Sequence, residues 1–225
     1  QSIRSSVFYR NSRTFHNKSK LNLIAMLRPP QWDDINSRGH GAYRYEKGLI
    51  SEIAYGTDTS QVLSTSMGMM TMTEVFGDLS YVAKVGITYK PNDRLSLDVD
   101  FSYKWTTDWL IHLNGQTFAT YSGEQWQPKV DMDIFLSAKQ QIRFSLQWVG
   151  IKARAQDLYQ VPLTDGHLIP LTHGLSTDAY DLTISRLTAQ LRYRWELAPL
   201  SDLFVVYTRG SNIPNRGRDN FSNLF

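Results

Sequence analysis

Hydrophobic and polar residues alternate along most of this chain, and the alternation is clearest between Leu79 and Trp105. The first arm sets Leu79, Tyr81, Ala83, Val85, Ile87 and Tyr89 against Ser80, Val82, Lys84, Gly86, Thr88 and Lys90. After Pro91-Asn92-Asp93-Arg94 the second arm sets Leu95, Leu97, Val99, Phe101, Tyr103 and Trp105 against Ser96, Asp98, Asp100, Ser102 and Lys104. A period of two puts each set on its own face of a pleated strand. Proline presets φ and Asn or Asp side chains bond back to their own backbone, so the tetrapeptide is a turn. The stretch predicts a long antiparallel hairpin with one apolar, aromatic face and one charged face. Whether the apolar face meets lipid or a protein core decides the function.

Weaker versions of the pattern flank this hairpin. Ser2 to Phe15 alternates roughly, His16-Asn17-Lys18-Ser19 reads as a turn, and Leu21, Leu23, Ala25 and Leu27 form a strand stopped by Pro29-Pro30. Gln31 to Gly41 reads as a polar loop. Ala42 to Glu46 and Leu49 to Tyr55 then predict a second hairpin turning at Lys47-Gly48, followed by an irregular strand around Met67, Met69, Met70 and Met72. Beyond Trp105, Thr106 to Pro128 reads as a long connection. Val130, Met132, Ile134 and Leu136 turn at Ala138-Lys139-Gln140 into Ile142, Phe144, Leu146 and Trp148. A second long connection covers Arg154 to Tyr180. The last hairpin runs through Leu187, Ala189, Leu191, Tyr193 and Trp195, turns at Ala198-Pro199-Leu200 and returns as Leu203 to Arg209.

The count is about ten strands in five hairpins. Tight turns near Pro91, Lys139 and Pro199 contrast with connections longer than about twenty residues, which are uncommon in compact soluble domains. Short turns on one rim and long loops on the other are how outer-membrane barrels are built. Aromatics at strand ends (Tyr89, Tyr103, Trp105, Trp148, Tyr193, Trp195) suit the interfacial girdles of such a barrel. The expected fold is therefore all-β, an antiparallel up-and-down transmembrane β-barrel, with residues 1–211 as a barrel segment and 212–225 as an irregular tail. A soluble β-sandwich with its apolar face packed inward shows the same alternation and stays open as the alternative.

Composition removes other classes. No window approaches the roughly 18 apolar residues of a membrane helix, and a mean hydropathy of −0.36 still suits a barrel, half of whose positions face a polar lumen. A net charge of +3 is too small and scattered for nucleic acid. The absence of cysteine removes disulfides, thiolate metal sites and Cys nucleophiles. There is no phosphate loop or dinucleotide fingerprint, and His112 and Ser122 come without a nucleophile elbow, so a barrel-embedded hydrolase is the remotest reading. The sequence calls for no cofactor.

The candidate lumen charges are Asp98, Asp100, Asp131, Asp133, Lys84, Lys104, Arg143, Arg186, Arg192 and Arg194. The Asp98/Asp100 and Asp131/Asp133 pairs, two apart on a strand, project from one face about 7 Å from each other. Such pairs share a proton or line a cation-selective lumen, against the plainer reading of solvated charges balanced across the ladder. Trp109, Tyr121, Trp126 and Tyr159 are candidates to stack on sugar rings, or to pack a loop or girdle. The echo Pro162-Leu163-Thr164-Asp165-Gly166-His167 and Pro170-Leu171-Thr172-His173-Gly174 makes Asp165, His167 and His173 weak metal candidates.

Three blocks carry a family resemblance: Trp32-Asp33-Asp34 with Asn36-Ser37-Arg38-Gly39, Gln147 to Ala153, and Leu191-Arg192-Tyr193-Arg194-Trp195 with Ser201 to Tyr207. They resemble bacterial outer-membrane proteins whose C-terminal barrel is a domain family of unknown function, preceded by a module similar to family-9 carbohydrate-binding domains. The resemblance implies a bacterial outer-membrane location, contact with membrane lipid, and glycan or other outer-membrane and periplasmic chains as partners. It implies no catalytic residues. This chain lacks the sugar-binding module and a clear closing strand after Tyr207, so it reads as a fragment of a larger barrel. Its expected role is anchoring or translocation, with a soluble β-rich carbohydrate-binding module as the alternative.

Overall fold

A computed structural model describes residues 5–162, 164, 166–171 and 177–215, with side chains up to 211. The strands are β1 (Val7–Thr14), β2 (Lys20–Arg28), β3 (Gln31–Asp33), β4 (Tyr43–Tyr45), β5 (Gly48–Gly56), β6 (Leu63–Thr73), β7 (Leu79–Asn92), β8 (Leu95–Asn114), β9 (Thr117–Ser137), β10 (Gln140–Gln160), β11 (Ile169–Pro170), β12 (Leu182–Ala198) and β13 (Ser201–Asn215). One antiparallel sheet takes the order β1-β2-β5-β6-β7-β8-β9-β10-β12-β13, with β11 added beside β10; β3 and β4 pair separately. All-β architecture is established. The sheet is open, with β1 and β13 as its edges.

The central hairpin forms as the alternation requires: Tyr81 lies opposite Trp105, Val85 opposite Phe101 and Tyr89 opposite Leu97. Its turn is Asp93-Arg94, and Asn92 Oδ1 accepts the Arg94 N–H at 2.9 Å. Several expectations need correction. Tyr43–Tyr45 pairs with Gln31–Asp33, and β5 runs between β2 and β6, so no hairpin turns at Lys47-Gly48. The methionine strand β6 pairs with both neighbours without a break in register. Most of Thr106–Pro128 and the start of Arg154–Tyr180 are strand, because β8, β9 and β10 run 20, 21 and 21 residues. β13 holds its pairing to Asn215, past the point where the sequence alternation fades.

Bulges at matching heights cause the misreading. The register slips between Thr106 and Trp109 on β8 and between Ala155 and Leu158 on β10. Asp108 occupies the first bulge with φ +51°, a left-handed conformation that Asp tolerates better than most residues. Each slip moves later side chains to the other face, so the alternation drops out of phase while the ladder continues.

The rims differ. Turns 15–19, 57–62, 93–94, 138–139 and 199–200 lie on one rim; 29–47, 74–78, 115–116 and the described parts of the β10–β12 connection (161–162, 164, 166–171 and 177–181) lie on the other. Only the second rim carries long connections, and there they cover the extended ends of β8–β10. Tyr43, Tyr45, Val75, Phe118, Val161 and Leu168 form one buried cluster; Ala119, Tyr121, Ala153, Ala155 and Leu158 form another. Phe118 and Ala119 are neighbours on one strand, so the clusters lie on opposite faces of β9. Glu74 ties the β6–β7 turn to this cap by accepting the Ser80 hydroxyl at 2.6 Å, and Ser80 bonds in turn to Thr106. Below the cap no comparable cluster exists among the described residues.

Gly123 lies where the cap begins. A Cβ there would meet Lys152 O at 2.6 Å and Ala153 Cα at 2.8 Å, both backbone atoms that cannot turn aside. Gly123→Val is expected to cost about 1–3 kcal/mol in denaturant titration, as overpacked sites do.

Candidate functional site

Register aligns an alternating apolar set from each of the ten main strands on one face, while Phe8, Met26, Met70, Val82, Phe204 and Val206 lie on the other. Across the middle of the sheet, Met69 lies opposite Ile53 and Ala83, Val99 opposite Ile87 and Val130, and Leu146 opposite Val130 and Ala189. Val7, Tyr9, Leu23 and Leu27 extend the face at one edge, and Val205 and Tyr207 at the other. Leu97, Phe101, Ile134 and Leu191 do not converge into a dry interior; all four are partly or fully exposed. Val99 is 40% and Leu191 45% exposed. Aromatics border the band at both levels. Tyr89, Tyr193 and Trp195 lie toward the short-turn rim. Toward the cap, Tyr81 stacks on Trp105 (5.8 Å), Tyr103 and Phe101 pack on Trp126 (4.7 and 5.4 Å), and Trp148 Nε1 donates to Ser185 Oγ at 3.0 Å.

The opposite face carries all ten charge candidates. Asp98, Asp100, Asp131 and Asp133 gather on β8 and β9, with Asp98 directly opposite Asp131; Arg143, Arg186, Arg192 and Arg194 lie on β10 and β12. Most are paired. Lys84 reaches Glu52 at 3.2 Å across β6, Lys129 reaches Asp131 at 2.5 Å, Arg143 Nε reaches Asp133 at 2.8 Å and Arg194 reaches Asp202 at 3.0 Å. Thr88 donates to Asp98 at 2.6 Å, and the guanidinium of Arg192 lies over Phe204. Gly86 leaves room for Asp100, whose Oδ1 would lie 2.6 Å from a Cβ there. Arg143, Arg192 and Arg194 line a hollow of about 150 Å³ with Gln141 and Phe204. Glu52, Lys129 and Asp202 were missed as partners. Lys129 keeps phase with Asp131, a signal present in the alternation; Glu52 lies on β5, which pairs with β2 and β6 and not with Tyr43–Tyr45.

The stacking candidates separate. Trp109 and Tyr121 share a face, 6.4 Å apart, and Lys104 Nζ sits 5.3 Å above the Trp109 ring. Tyr121 is buried and its hydroxyl donates to Tyr180 O at 3.0 Å. Trp126 lies on the opposite, apolar face, and Tyr159 stacks on Phe76 at 4.6 Å. Trp109 also borders a hollow of about 440 Å³, with Arg28, Arg38, Tyr45, Glu74 and His112. His112 bonds to Gly115 O and stacks on His40, whereas Ser122 lies across from Arg154, so the two do not meet. His167 Nδ1 lies 3.7 Å from Glu46; Asp165 and His173 fall outside the described residues. No cluster of three metal-ligating side chains occurs among the described residues.

One titratable group in the cap stands out. A hydrogen bond with Asp78, together with burial and the nearby charges of Asp78, Asp157 and Glu74, raises the Asp108 carboxyl from 3.8 to about 6. The folded state then holds this proton more tightly than the unfolded chain. The stability it confers is complete below about pH 4 and lost as the pH rises through about 6. Hydrogen exchange at the β8–β9 tip is expected to accelerate between those values, and Asp108→Asn is expected to flatten the dependence.

The molecule is thus an antiparallel meander whose lower part bares a continuous apolar face backed by a charged one, beneath a cap buried on both faces. The chain belongs to a family described only as a domain of unknown function (DUF5916), whose family model matches residues 3–225. No curated protein matches it.

Proposed function

We propose that this chain is wall of a bacterial outer-membrane β-barrel, with its apolar face against lipid and its charged face toward an aqueous interior. Its role is anchoring or translocation, in partnership with a glycan-recognising module. The observation that carries this reading is the contrast within one sheet. Ten strands hold an apolar face in register with no described residue packed over it, while the extensions of β8–β10 are buried on both sides. Uncovered apolar patches of that extent are rare on soluble monomers. The dimensions agree. Leu95 to Trp105 rises about 34 Å along β8, or about 25 Å for strands tilted by about 40°, the height of the apolar band of such barrels.

Lipid imposes one further demand. Unpaired N–H and C=O groups cost several kcal/mol each in hydrocarbon, so the edges at β1 and β13 close on each other, on further strands, or on a partner chain. Extraction tests the reading. Release from membranes by detergent alone, and sedimentation as aggregate once detergent is removed, is the expected behaviour. Monodisperse protein in plain buffer contradicts it.

A second reading, a carbohydrate-binding module, draws support from the hollow beside Trp109, where an aromatic face meets Arg28, Arg38 and Glu74. It calls for glycan binding in solution that Trp109→Ala abolishes.

A further inference from the structure

Where the apolar band ends on β8–β10, its face changes character within two rows. Tyr103, Trp126 and Gly150 form an aromatic row; Trp105, Glu124 and Lys152 form the next, and Ser122 lies opposite Arg154 in the row above. Two hollows meet at this point. One, of about 330 Å³, is walled by Met69, Tyr81, Ala83, Tyr103 and Trp105; the other, of about 420 Å³, is walled by Ser122, Glu124, Lys152 and Arg154. Trp105 and Glu124 border both, so the two make one groove, oily below and cationic above.

The charges there are unbalanced. Glu124, the one carboxylate of the groove, borders the oily hollow together with Tyr103. Neither Lys152 nor Arg154 forms an ion pair with a described residue, although the cations of the opposite face mostly do. One carboxylate faces two bases.

We infer that this groove holds a membrane lipid with an anionic phosphate headgroup. The inference rests on the membrane reading above. Phosphate oxygens sit between the Lys152 ammonium and the Arg154 guanidinium, whose planar fork matches them. An acyl chain lies along Met69, Ala83 and the stacked Tyr81–Trp105 pair. The level is right for this occupant, because Lys152 and Arg154 stand two and four residues, about 7 and 13 Å, along β10 above the aromatic row, where headgroups lie.

The test is native mass spectrometry of the detergent-solubilised protein titrated with phosphatidylglycerol or phosphatidylcholine. Phosphatidylglycerol is expected to be retained preferentially, and Lys152→Gln/Arg154→Gln to weaken that retention at least about tenfold, the loss of two charge-assisted contacts. Ala83→Trp, which fills the oily half and leaves both cations in place, is expected to weaken it also. Lys139→Gln, at the opposite rim, leaves it unchanged. Equal retention by the double variant overturns the inference. So does displacement of the lipid by millimolar inorganic phosphate alone, which marks a free-anion site. Vesicle flotation separates this failure from that of the parent reading: a protein that floats with phosphatidylcholine vesicles but shows no lipid preference refutes the groove alone, and one that never floats refutes both.

Discussion

Arginine in place of Val99 is expected to cost about 2–4 kcal/mol when the protein is folded into a bilayer, and Leu191→Arg, three strands away, about the same. Both sites lie well inside the apolar band, and both are 40% or more exposed in the isolated chain. That exposure makes the result informative. On a water-facing surface an arginine at either position would change stability by no more than about 0.5 kcal/mol. Ser145 offers the comparison on the charged face, where it lies opposite Asp131. Ser145→Arg is expected to cost less than about 1 kcal/mol. Denaturant titration of the three variants in the same vesicles measures the difference.

Phe118→Ala is expected to cost about 3–5 kcal/mol, concentrated in the cap. Phe118 is 1% exposed, meets the Tyr43 ring edge-on at 5.4 Å and the His112 ring at 5.1 Å, and lies in the cluster that holds β3–β4 against β8–β10. Its loss leaves a cavity that the backbone ladder of β9 keeps from closing. Hydrogen exchange is expected to rise at Phe118–Tyr121 and Tyr43–Tyr45 while Leu95–Phe101 stays protected, because the band gains nothing from the cap's packing. Uniform loss of protection along β8 and β9 would make the two regions one cooperative unit.

The lower half of the molecule was legible because its register shifts lie beside the turns, at Tyr89–Asn92 and Gln140–Gln141, and leave the period of two intact along the arms. From Leu79 to Trp105 and from Val130 to Trp148, every second residue lies on the face that the alternation assigns. The upper half was not, for two reasons. At Asp108 and again past Ala155 a bulge shifts the phase, so strands that continue to Asn114 and Gln160 look like loops. Residues 118–121 are also buried on both faces, which removes the alternation itself. Long-range pairing hid the third feature. Tyr43–Tyr45 joins Gln31–Asp33 and leaves Leu49–Tyr55 to the main sheet, and no local signal distinguishes that from a hairpin at Lys47-Gly48. The site was legible to the same degree: the ten charges share a face as the spacing requires, whereas Trp109 changed sides with the bulge and left Trp126 behind.

What touches the odd-numbered side chains of β8 below its bulge decides whether this face meets lipid, and spin labels read that directly. The sequence has no cysteine, so single cysteines at 97 through 104 each carry the label without background. In vesicles, labels at positions 97, 99, 101 and 103 are expected to collide with oxygen and be shielded from a water-soluble nickel chelate, and those at 98, 100, 102 and 104 to show the reverse. Equal access of the nickel chelate to both sets would contradict the claim that acyl chains cover this face.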